Sequence, residues 1–115
     1  MKDAAILVTK PGLGTTPAEE STFGIELMEK FLHTLEGLPD KPKAICFYTE
    51  GVKLTAQGSA VELGLKLLDS EGVRLVACQT CLEHYGVEDR IAAVEVVGMN
   101  DVVAILAEAS KVITI

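Results

Sequence analysis

Tryptophan is absent, and three phenylalanines and two tyrosines are the only aromatic residues among 115. A flavin held between rings needs more than that, and neither a G-x-G-x-x-G nor a Walker spacing occurs to cradle a phosphate. Basic blocks are missing too. Ten Lys and Arg are scattered among seventeen Asp and Glu, for a net charge of −7. Proteins that neutralise nucleic-acid phosphates cluster their cations, so nucleic acid is not an expected partner. No apolar run approaches the ~20 residues that span a bilayer. The opening MKDAAILVTKPG has too short an apolar stretch, and no cleavage site after it, for a secretory signal. No membrane contact and a cytoplasmic location are expected. Only three cysteines occur, Cys46, Cys78 and Cys81. An odd number in a chain large enough to fold unaided does not read as a disulfide framework.

What is present points to a packed domain. Forty-nine per cent of the residues are apolar, and a chain of this size buries very roughly two thirds of its unfolded surface. One domain, 1–115, is expected. AAILV at 4–8, AICFY at 44–48, VRLVA at 73–77, AVEVV at 93–97 and VITI at 112–115 read as strands. Between them lie helical patterns. Thr16, Pro17 and Glu19 resemble a capping box opening a helix whose stripe is Phe23, Leu27, Phe31 and Leu35, widened by Ile25, Met28 and Leu32 and stopped by Gly37 and Pro39. Ser59 and Glu62 make a second box before Val61, Leu63, Leu65, Leu67 and Leu68, and Asn100 can cap a last helix over 101–109. Strands alternating with crossover helices give an α/β fold, a three-layer α/β/α sandwich on a mainly parallel five-stranded sheet. Both long helices are apolar over more than one docking stripe, so a homo-oligomer is expected.

In open parallel sheets, ligands and reactive groups gather beyond the strands' carboxyl ends. The segment VACQTCLEHYG, 76–86, reaches that edge directly from the third strand. Cys78 at the cap of the short turn TCLEHY would face free backbone N–H groups, which favour the nucleophilic thiolate. Three chemistries fit the C-x-x-C. Zinc would use Cys78, Cys81 and His84 but finds no second knuckle for a fourth ligand. A thioredoxin-type redox pair would follow the first strand and be answered by a later proline, whereas all four prolines (Pro11, Pro17, Pro39, Pro42) come before this one. A C-x-x-C thiol redox protein with a reversible Cys78–Cys81 disulfide on another fold stays open. A carrier would accept a sulfane sulfur on Cys78, exposed on its loop, as a persulfide and hand it on by thiolate attack. Cys81 would then be an auxiliary thiol that releases the sulfur through an internal disulfide, or else a bystander. A non-catalytic module binding a small anion or a peptide in the same cleft is the rival from another class. No cofactor and no metal are expected.

CQTCLEHYGV resembles the DsrE/DsrF-like family, whose sulfurtransferase members carry a reactive cysteine after the third strand. That cysteine is separated by seven residues from a Gly-Val or Gly-Ile pair, here Gly86 and Val87. The resemblance puts the sulfur-accepting role on Cys78. It is nearest to the C-terminal domain of YedF-like proteins, through FYTEGVKLTAQGS, C-x-x-C-L-x-x-Y-G and VGMND, and covers nearly the whole chain. It implies strand order 4-3-2-1-5, a trimer or hexamer, and a sulfur or selenium relay. YedF-like proteins usually carry a TusA-like domain in front, so the implied partner is a separate TusA-like or other cysteine-bearing protein. Where many sulfur-transferring members have an arginine before the glycine, this chain has His84 and Tyr85. Lys53, in EGVKL, would lie beside the cysteine loop and support a thiolate, with Glu50 opposing it. The GLGTT loop reads as a helix entrance, Cys46 as packing, and His33 as solvent-facing.

Overall fold

The run AAILV becomes β1 (Ala4–Val8) in the computed structural model, which describes residues 1–115, and every residue of that strand is buried. β2 (Ala44–Phe47) is buried throughout as well. Continuous burial is what the middle of a parallel sheet demands, because helices cover both of its faces. β3 (Arg74–Cys78), β4 (Glu95–Val97) and β5 (Lys111–Thr114) complete a sheet in the order β4-β3-β2-β1-β5, parallel at every pairing. The expected sandwich and strand order are those observed.

Four α-helices surround the sheet: α1 (Ser21–Glu36), α2 (Glu62–Ser70), α3 (Gln79–His84) and α4 (Met99–Glu108). One face packs Ile6, Val8, Ile45, Phe47 and Leu75 under Met28 and Leu32 of α1 and Leu65 and Leu68 of α2. The other packs Ala5, Leu7, Ala44, Cys46 and Val76 under Val102 and Ile105 of α4. The first core is therefore thick, and the second rests on a single short helix.

Several local expectations are corrected. Neither anticipated capping box forms. Pro17 is extended (φ −58°, ψ 154°), a 3-10 turn spans Ala18–Glu20, and α1 starts only at Ser21 with no side-chain cap. The Ser59 hydroxyl donates to Leu54 O at 2.6 Å, Glu62 accepts from the Gly58 N–H, and α2 starts at Glu62. The buried ridge of α1 is Gly24, Met28, Leu32 and Leu35, one position round from the expected stripe, and Phe23 is 51% exposed. The cause is a close approach of backbones. Leu13 N–H donates to Gly24 O at 2.9 Å, and a Cβ on Gly24 would lie 3.3 Å from Gly12 Cα. The GLG loop docks on this glycine and sets the rotation of the helix. β3 ends one residue later than expected, and α4 is entered through Gly98 rather than Asn100.

Candidate functional site

The late end of β3 decides the setting of the cysteine pair. Cys78 is the strand's last residue, pairs with Val97 of β4, and is 2% exposed. The expectation of an exposed first thiol is corrected by this: Cys78 still belongs to the ladder with β4. Cys78 is also the residue that enters α3, in extended conformation (φ −70°, ψ 121°), without a side-chain capping bond. Cys81 follows one turn later and is only half-buried. The accessible thiol of the pair is the second.

Cys81 is held from across the sheet edge. The chain leaving β2 forms a 3-10 helix over Thr49–Thr55, and the Thr49 N–H donates to Cys81 Sγ at 3.1 Å. Thr49 sits at φ 47°, a left-handed conformation that β-branched residues rarely adopt. Its hydroxyl lies 2.7 Å from both Thr9 O and Tyr48 O, which tie it to the ends of β1 and β2. Two residues on, a Cβ at Gly51 would collide with Val8 O. Only glycine lets this segment rest against the end of β1. Strain of this kind persists where surrounding contacts enforce it.

Electrostatics follow from these contacts. Burial holds the Cys81 thiol above its ordinary value, the Thr49 N–H works against that, and the neighbouring Cys78 thiol adds to the rise. Cys46, buried under α4, is raised from 9.0 to about 11 by burial, against a weaker lowering by Arg74. It is a packing residue with an inert thiol.

Lys53, His84 and Tyr85 come together beside the pair. Lys53 Nζ lies 4.8 Å from the Tyr85 ring centroid, and the His84 ring meets Tyr85 edge-on at 4.8 Å. Lys53 also faces Glu50 Oε1 at 4.0 Å. The lysine's contacts are thus an aromatic face and a carboxylate, and the sulfur's nearest polar support is a backbone amide. No group of three His, Cys, Asp or Glu is placed to hold a metal ion. Thr49 and Gly51 were invisible as site residues in the sequence, since nothing in YTEGV marks a threonine for positive φ. A glycine closely following a buried strand was the one available hint.

A hollow of about 310 Å³ beside the GLGTT loop is lined by Lys10, Thr15, Thr16, Ser21 and Glu50. Lys10 Nζ is engaged with Thr15 Oγ1 at 3.0 Å. The largest hollow, about 470 Å³, lies between α1 and α2 and contains no cysteine. No helix is long and apolar enough to cross a membrane.

The DsrE/DsrF-like family model matches residues 2–115. No curated protein is matched. Among solved structures, the YchN protein of E. coli superposes with a TM-score of 0.68 at 19% identity, covering 100% of both chains. MTH1491 of Methanobacterium thermoautotrophicum, described as a protein of unknown function, gives 0.70 at 19% identity over 97% of both chains. BT1422 of Bacteroides thetaiotaomicron, also of unknown function, gives 0.66 at 20% identity over 98% of this chain and 95% of that one. At these identities the likeness is one of fold.

Proposed function

The chain belongs to the DsrE/DsrF-like family, and on that premise we propose that it is a sulfur or selenium relay protein working through Cys78 and Cys81. The family is generally associated with sulfur relay. The observation that carries the reading is a pair of free thiols three residues apart at the carboxyl edge of a parallel sheet, one buried and one half-buried.

The step needs no diffusible cofactor. A thiolate of the pair attacks the outer sulfur of a donor persulfide. The donor's S–S bond breaks, its cysteine leaves as thiolate, and a new S–S bond forms on this protein. A second protein's thiolate then attacks that outer sulfur, and the carrier cysteine leaves as thiolate. Selenium in place of sulfur follows the same bookkeeping of bonds. Lys53, His84 and Tyr85 form the rim against which a cysteine-bearing partner, TusA-like in the reading nearest to YedF, would dock. Reduced thiols fit a cytoplasmic setting. The exposed apolar residues Leu63 and Val103 support a homo-oligomer, trimeric or hexameric by family resemblance.

The test is sulfur uptake. Wild-type protein incubated with a persulfide donor is expected to gain the mass of one sulfur atom, removable by a reductant. The Cys78→Ser/Cys81→Ser double variant, which keeps Cys46, is expected to gain none. Equal behaviour of the two proteins would replace the relay with the non-catalytic binding module.

A further inference from the structure

We infer that Cys81, and not Cys78, is the thiol that receives the incoming sulfur, that Thr49 is its positioning residue, and that Cys78 is the resolving thiol. This rests on the relay reading and reverses the assignment that resemblance implies. In-line attack on a partner's persulfide needs a sulfur the partner can reach. Cys78 is 2% exposed and locked in the sheet opposite Val97, whereas Cys81 is half-buried on the outer turn of α3. The only backbone donor aimed at either sulfur belongs to Thr49 and reaches Cys81 at 3.1 Å.

The Thr49 amide is directed by an unusual piece of backbone. A β-branched residue at φ 47° would relax without its anchors, and the hydroxyl's contacts to Thr9 O and Tyr48 O supply them. The N–H then stabilises the Cys81 thiolate before attack, and again when Cys81 leaves after transfer. Burial opposes ionisation here, so this one donor carries weight. Cys78 has a different task. Its thiolate attacks the inner sulfur of the Cys81 persulfide, hydrosulfide departs, and a Cys78–Cys81 disulfide forms, which a dithiol reductant reopens. A carrier that meets no acceptor is thereby cleared.

Two measurements test this, and one of them needs no sulfur donor. In the folded protein, iodoacetamide is expected to modify Cys81 at least tenfold faster than Cys78, read by peptide mass on the wild type and on each single Cys→Ser variant. Thr49→Val, which loses the anchor, is expected to raise the apparent pKa of that reaction by about one pH unit. Thr49→Ser, which keeps the hydroxyl, is expected to leave it unchanged. With a persulfide donor, Cys78→Ser is expected to gain and retain one sulfur, Cys81→Ser to gain none, and wild type to release hydrosulfide slowly. Faster alkylation of Cys78, or a Thr49→Val profile identical to wild type with the fold intact, overturns the inference whatever the sulfur experiment gives. Preferred alkylation of Cys81 with no sulfur uptake by any form leaves the reachable thiol assigned and removes the relay.

Discussion

At the scale of single residues, three side chains and one missing side chain define the site. Gly51 gives the sharpest stability expectation. A methyl group there meets the Val8 carbonyl oxygen, so Gly51→Ala is expected to cost ~2–4 kcal/mol by overpacking against backbone that cannot move aside. Urea denaturation against Gly64→Ala, where an added Cβ meets nothing nearer than Glu36 Oε2 at 3.8 Å, separates collision from the general effect of adding a methyl group. Cys46 makes a pH expectation. Its folded value, about 11, lies above the ordinary 9.0, so between these values the unfolded thiol has lost a proton that the folded one keeps. The stabilisation is complete below pH ~9 and is lost as the pH rises through ~11. Cys46→Ala is expected to flatten the alkaline limb of the stability profile, measured by denaturation at successive pH values. Lys53 leans on Tyr85 and Glu50, and Lys53→Met is expected to change Cys81 alkylation by less than about threefold, since an exposed cation–π pair is worth only ~0.5–1 kcal/mol.

At the scale of elements, the strands were legible and the helix rotations were not. AAILV and AICFY are short, branched and unbroken by polar residues, which leaves little room for another reading once glycine and proline bracket them. Helix α1 offered apolar residues at nearly every turn of its circumference, so periodicity alone did not select a face. The Gly12–Gly24 approach selects it, and that contact spans a loop. Met28→Ala is therefore expected to cost ~2–5 kcal/mol and Phe23→Ala less than ~1 kcal/mol, the reverse of a helix facing the sheet with Phe23. Thermal unfolding of the two variants decides it. The same blindness applied to Cys78. Ending β3 at Ala77 would have freed that sulfur, and ending it at Cys78 buries it. One residue of register separates an accessible nucleophile from a protected one, and the pairing with Val97 depends on a distant segment. The motif pointed to this edge of the sheet; tertiary pairing buries one thiol of the pair and leaves the other half-buried.

At the scale of the whole molecule, the sheet is covered unevenly, and its outer surfaces hold unspent apolar area. Two helices cover one face, while α4 alone covers the core of the other. Leu63 is 71% exposed and Val103 56%. With the proposed assembly of identical copies, light scattering is expected to report a trimer or hexamer in solution, and a monomer at micromolar concentration would remove that part of the account. Assembly also bears on chemistry, because copies that hid Cys81 would close the route to a donor. The relay itself stands or falls on passage of an atom between two proteins. Persulfidated wild-type protein, mixed with a small reduced cysteine-bearing acceptor of TusA type and followed by intact mass, is expected to lose one sulfur as the acceptor gains one. Sulfur that stays on the protein, or leaves it no faster with the acceptor than without and never appears there, would contradict the relay.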